Sequence, residues 1–464
     1  MRMRIIKSSL LFFLSGLIQF APSTMIAQWV LTATDSMIYQ NAKNDPAKLR
    51  QLASIHQGDR LGAKAQNRLG TLAFYNKRPR EAQQDFEVTY ALYTNRPEAF
   101  EAVYYLGVIN NDSAKFEEAK NNLTKYVNTN LTDKDLEYWQ YLIVRAMSET
   151  NDPNFISAAH AFVSTKHSYQ DGNAIIQNEL ARYYLERGDF ANTLIEAQDL
   201  IDKYPSSNYV HYAEGDILDS DIGLGNINAA LDYASKLLSK YGTNNDDAAR
   251  AQLTIATIYD SKGDIDRARS EYSKVINLHP SVRFRVSAAE FGLMIIDLNQ
   301  AKEKKDSLAI VNAVTNLKSF VANHPKDHYS PRALACIAEI ATENQNFQEA
   351  LDAYSKIIQF DKELIVDSTI SRLSPDLKGL RDLAVQAHTL RGMILRTQLR
   401  NPSGALAEFD AVLVSRPNKS DVLLNKAMCL IDLGQKELAR SILRKLVSDN
   451  TEVKAAATQV LATI

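Results

Sequence analysis

At 464 residues the chain is too long for one ordinary globular core, so it is either several domains or a repeat array. Its 17 Gly and 12 Pro sit mostly between apolar periodic segments, the pattern of many helices joined by short turns. A formal net charge of −2, with no block of like charge, leaves no electrostatic footprint for nucleic acid, whose binding rests on Lys and Arg meeting phosphates.

The first element is an export signal. Arg2, Arg4 and Lys7 precede an apolar run from Leu10 to Ala21, and small residues follow. A basic segment before a short apolar one is the plan of a secretory signal peptide. The expected signal spans residues 1–27, with Ala27 last to be removed; Met25 departs from a small-x-small site. The run is shorter than the roughly 20 apolar residues of a spanning helix. Absence of a nearby Cys argues against a lipoprotein anchor. The mature protein is therefore expected to be periplasmic or secreted, without stable membrane insertion.

Residues 28–58 follow as an N-terminal cap, read as a helix pair from residue 34. Residues 59–450 are self-similar. In the clearest unit Ala256 is followed after twelve residues by Ala268, after four more by Tyr272, and after eight by Pro280. Small Ala256 and Ala268 suit a close helix crossing, and Gly263 ends the first helix where a left-handed backbone is easy for glycine. Tyr272 fills the space one turn on, and Pro280 stops the second helix. The twelve-then-four spacing recurs at Gly70, Ala82 and Phe86; at Gly107, Ala119 and Leu123; and at Ala146, Ala158 and Phe162. It returns at Ala181, Thr193 and Ala197, with Gly188 in the turn, and weakly at Leu218, Ala230 and Ala234. Ala338, Ala350 and Tyr354 match again, as do Ala427, Ala439 and Leu443 with Gly434 between. Gly392, Ala405 and Phe409 match with one extra residue. The copy opening at Gly292 is stretched and resumes at Ala313 and Leu317. Two insertions stand out, near 297–309 and 361–380. Residues 451–464 read as a helix capping the last repeat, since open array ends need covering.

These units resemble the tetratricopeptide repeat, which pairs Leu-Gly with a later Ala, an aromatic and a Pro. Leu69-Gly70 and Leu106-Gly107 reproduce the Leu-Gly step, while no unit fills the family's Trp position. The resemblance implies an all-α, right-handed α-solenoid of about ten helix pairs with helical caps. It also implies that first helices line a concave groove for a peptide or partner helix. The family's groove positions fall on Tyr104, Val108 and Asn111, on Asn178, Arg182 and Leu185, and on Leu253, Thr257 and Asp260. Tyr104 and Arg182 are the expected hot spots. The Lys and Asn clamp of relatives that bind chaperone tails is not reproduced at Asn67/Thr71, Tyr104/Val108 or Asn178/Arg182. The joint Tyr204 to Val210 is similar to that of periplasmic relatives of the outer-membrane-assembly and Tol-associated type.

Catalytic patterns are missing from the sequence: no HExxH, GxSxG, Walker loop or CxxC occurs. Gly223-Leu224-Gly225 falls where the repeat needs a turn. His324 and His328 are separated by Pro325, so they share no helical turn. Cys336 and Cys429 lie more than two repeats apart and read as small buried hydrophobes. No cofactor or metal is expected. The reading is a non-enzymatic interaction scaffold of the bacterial cell envelope with protein or peptide partners. The alternative is a ligand-binding or catalytic envelope protein whose pocket the 361–380 insertion caps.

Overall fold

A computed structural model describes residues 31–110, 112–130, 135–165, 170–366 and 375–464. The signal segment 1–27, groove position Asn111 and the middle of the second insertion, 367–374, lie outside the described residues. The described residues form 23 helices and no strand.

The N-terminal unit holds residues up to 187 together with 195–210. Its helices are α1 (Ala33–Ala42), α2 (Pro46–Ile55), α3 (Arg60–Tyr75), α4 (Pro79–Leu92), α5 (Pro97–Asn110), α6 (Ser113–Thr129), α7 (Leu136–Glu149), α8 (Phe155–Val163) and α9 (Gln170–Leu185). Helix α10 (Phe190–Lys203) is divided between the two units. The C-terminal unit holds 188–194 and 211–464. It contains α11 (Val210–Gly223), α12 (Ile227–Tyr241), α13 (Asp246–Ser261), α14 (Ile265–Leu278), α15 (Arg283–Glu303) and α16 (Ser307–Asn323). It continues through α17 (Ser330–Glu343), α18 (Phe347–Val366), α19 (Pro375–Thr397), α20 (Pro402–Ser415), α21 (Ser420–Asp432), α22 (Lys436–Ser448) and α23 (Lys454–Leu461). Within each unit a helix packs on its sequence neighbour and first helices touch the next first helix, the packing of an α-solenoid. No helix among the described residues is long and apolar enough to cross a membrane.

Local chemistry sets the helix boundaries. Asp59 accepts from the Gly62 amide to cap α3, and Asn245 accepts from Asp247 and Ala248 to cap α13. Asn401 caps α20 just before Pro402, whose missing N–H is no loss at the first helical position. Within most described pairs one left-handed residue makes the turn: Gly263 at φ 73°, but also Lys77 at 57°, Asn151 at 52°, Lys305 at 52° and Gln345 at 58°. The amide after it reaches back five residues, Asp264 to Tyr259 at 2.9 Å and Arg78 to Ala73 at 2.9 Å, so the geometry is the same whichever residue turns. At Arg400 the amide of Asn401 reaches back six residues to Leu395, which absorbs the extra residue of that unit. Gly263→Val is expected to lower stability by about 1–2 kcal/mol, because a β-branched side chain is strained in the left-handed region. A thermal midpoint unchanged from wild type would contradict this, and Gly263→Asn should fall less.

The buried positions follow the repeat. Gly70/Ala82, Ala256/Ala268, Ala338/Ala350 and Ala427/Ala439 stand seven residues before and five after the left-handed turn residue, and every Ala among them is fully buried. Two units depart from the expected register. Next to Gly107 the crossing contact is Tyr104 on Phe116, ring centroids 5.3 Å apart, three residues earlier on both helices. In α8 the fully buried alanine is Ala159, while Ala158 is half-buried. Aromatic Phe86, Phe116, Trp139 and Phe155 fill the N-terminal core, and Tyr272, Tyr354 and Phe409 fill the C-terminal one. The polar stretch 297–309 is the end of α15, its turn and the start of α16. Both cysteines are free; Cys429 is buried, whereas Cys336 is only half-buried.

Candidate functional site

The residues placed in the groove from the sequence stand on three separate first helices, α5, α9 and α13. Tyr104 is 1% exposed. Its ring meets Tyr105 edge-on at 5.6 Å and the Arg145 guanidinium at 5.9 Å. It is a core residue and not a displayed hot spot, because in this unit the tight crossing filled elsewhere by Gly70 or Ala256 is occupied by a large ring. Asn178 is buried too, at 4% exposure. Val108 and Leu185 are half-buried, and Arg182 pairs with Glu186 of its own helix at 3.3 Å. In the C-terminal unit Leu253 packs beside Tyr272, Asp260 accepts from the Tyr272 hydroxyl at 3.4 Å, and Thr257 is exposed.

A different set of side chains converges on the first helices of the N-terminal unit. Arg60 and Lys64 stand one turn apart on α3, Glu98 and Glu101 on α5, and Asp135 and Tyr138 at the start of α7. Arg60 donates to Glu98 at 3.0 Å and to Asp135 at 2.9 Å. Lys64 reaches the same Asp135 oxygen at 2.6 Å. The Tyr138 hydroxyl donates to Glu101 at 2.7 Å. Three successive first helices are thus tied by one polar network. Two turns further along α7, Arg145 donates to Glu179 of α9 and to the Tyr141 hydroxyl, both at 3.3 Å.

Burial dominates the electrostatics. Glu98 is 1% exposed, and burial pushes its carboxyl above the usual range while Arg60 and Lys64 pull it back. Burial pushes Glu101 up to about 7, opposed by the Tyr138 hydrogen bond. One Glu98 oxygen, Oε2, has no hydrogen-bond partner, nor do the Tyr104 hydroxyl and the Trp139 ring N–H. The network ties first helices in register and stacks aromatic faces; it pairs no nucleophile with a base. Among the described residues no group of three or more His, Cys, Asp or Glu is arranged to hold a metal. The signal missed in the sequence is charge at one-turn spacing on first helices, which repeat matching passes over because it tracks small and aromatic positions.

In the C-terminal unit α17, α18 and α19 surround a cavity of about 390 Å³, within the ordinary range of ligand sites. Its walls include Ala335, Tyr354, Ile357, Ala387 and Leu390, with Glu339 and Glu343 among the polar lining.

Tetratricopeptide-repeat family models match three segments, residues 67–119, 249–281 and 421–450. No curated protein matches the chain. Among solved structures, yeast Tom70 is 13% identical with a TM-score of 0.40, covering 95% of each chain. A Rap protein complexed with competence and sporulation factor is 12% identical, with a TM-score of 0.38 over 78% of this chain and 97% of that one. The Cut9–Hcn1 hetero-tetramer of the APC/C gives 13% identity and a TM-score of 0.34, over 92% and 94%. Stacked helix pairs and three matched segments lead to one statement: the chain carries tetratricopeptide repeats on an all-α solenoid frame.

Proposed function

We propose that the protein is a non-enzymatic interaction scaffold of the bacterial cell envelope, exported by its first 27 residues. Its first helices hold peptide or protein partners along their inner face. The observation that carries the interaction role is the occurrence of matched repeats in both units, since stacked repeats present extended binding surfaces. Export rests on the basic residues Arg2, Arg4 and Lys7 ahead of the apolar run. The proposed contact positions are Val108, Arg182 and Leu185 in the N-terminal unit and, separately, Leu253, Thr257 and Asp260 in the C-terminal unit; Asn111 lies outside the described residues. Buried Tyr104 and Asn178 act from behind by holding the helices that display them.

Cross-linked affinity capture from an envelope extract of the native organism is expected to recover a defined protein partner, and Arg182→Glu to weaken that capture at least tenfold. Recovery of no protein by either form would reject the scaffold. N-terminal sequencing of the exported protein should begin at Gln28; a retained Met1 would reject cleavage. A second reading, a ligand-binding envelope protein, draws on the cavity beside α18 and α19, the helices that run into the 361–380 insertion.

A further inference from the structure

The cavity between α17, α18 and α19 has a chemistry of its own. Tyr354 and Ile357 of α18 are buried and form part of its lining. Two small residues, Ala335 on α17 and Ala387 on α19, both border the space. Leu383 and Leu390 of α19 border it too. The apolar lining continues along α19, because Leu390 and Met393 stand three residues apart and share one face. Met393 is 41% exposed, so this stripe is open to solvent.

Charge at the cavity is one-sided. Glu339 and Glu343 stand one turn apart on α17, with side chains 61% and 54% exposed. Both share a single cation, Lys302 of α15, at 3.0 Å and 3.4 Å. One ammonium cannot neutralise two carboxylates, so a net negative charge stays beside an apolar hole. The remaining polar lining adds no positive charge: it is Gln386 and Thr342, whose hydroxyl donates to its own helix at the Ala338 carbonyl, 2.7 Å away.

We infer that this cavity takes one bulky apolar side chain from a partner segment that carries Lys or Arg within a few residues of it. An apolar anchor filling a pocket with a charged rim is the usual composition of a hot spot. The rim carboxylates favour a basic segment and repel an acidic one, which sets specificity and association rate more than raw affinity. The inference rests on the scaffold reading above and names the partner chemistry of one stretch of the inner face.

Six pools of fluorescein-labelled dodecapeptides test it on the full chain by fluorescence anisotropy. Each pool fixes a central Phe or Ser, and restricts the flanking positions to Lys/Arg/Ser, Asp/Glu/Ser or Gly/Ser. The Phe pool with basic flanks is expected to bind at least tenfold tighter than the Phe pool with acidic flanks and the Ser pool with basic flanks. Ala387→Trp, which fills the hole, should weaken that binding tenfold or more. Glu339→Gln combined with Glu343→Gln alters exposed side chains, so the fold is kept, and it should erase the preference for basic over neutral flanks. Equal binding of acidic and basic pools, or binding unchanged by both variants, would overturn the inference while leaving a peptide-binding scaffold in place. Binding of no pool would overturn both. Self-association of the free chain abolished by Ala387→Trp would give the cavity to a second copy and overturn the inference.

Discussion

Arg60→Leu is expected to destabilise the N-terminal unit by about 3–5 kcal/mol, the usual penalty for removing one partner of a buried ion pair. Arg60 donates to Glu98 at 3.0 Å, and Glu98 is 1% exposed with its other oxygen already unpartnered. Leucine would leave a buried carboxylate beside apolar atoms, with Lys64 too engaged with Asp135 to replace the guanidinium. The same change also removes the Arg60 guanidinium from Asp135. Repeat arrays open locally, so the loss is best read by hydrogen exchange of α3, α5 and α7 amides rather than by one global midpoint. Arg60→Leu with Glu98→Leu should recover most of the loss, since an apolar pair of similar volume tolerates burial. Exchange rates unchanged in the single variant, or a double variant worse than the single, would refute this account.

The second large effect concerns pH. Glu101 is held at about 7 against an ordinary 4.5, chiefly by burial. The groups that face it are the Tyr138 hydroxyl, Glu98, Lys64 and Asp135. Between pH 4.5 and 7 the unfolded chain releases the Glu101 proton while the folded unit keeps it. The folded state then binds more protons, so stability falls as pH rises through this window. Below it the side chain costs nothing; above it the full penalty, up to about 3 kcal/mol, is present. Glu101→Gln keeps an acceptor for the Tyr138 hydroxyl and removes the titration. The variant is expected to gain protection of the α5 amides at pH 8 and to match wild type at pH 4.5. A wild-type unit equally stable at pH 5 and pH 8, or a variant with the same pH slope, would refute the assignment.

How much of this was legible beforehand differs from element to element. The twelve-then-four spacing located Ala256, Ala268 and Tyr272 in a shared core because a close helix crossing admits only small side chains and the next turn must be filled. Turns were legible only where glycine makes them. Lys77, Lys305 and Gln345 adopt the same left-handed backbone as Gly263, and nothing in their chemistry announces it; the paired helices impose it. Spacing also misled where bulk replaced smallness. Gly107 and Ala119 satisfy the pattern, yet Tyr104 and Phe116 make the crossing. A hot spot expected at Tyr104 therefore lies inside the core.

The sequence by itself determined that the chain is an array of helix pairs, because burial of a helix face at a fixed period needs only local spacing, and spacing is written along the chain. It did not determine which polar residues act together. Arg60, Glu98 and Asp135 are 38 and 37 residues apart in turn, a full repeat each time, and no local rule links them. Only the stacking of α3, α5 and α7 brings their side chains within hydrogen-bond reach, and burial then raises the proton affinity of Glu98. The cavity between α17 and α19 is likewise invisible in either helix alone, since a void is a property of what neighbours fail to fill.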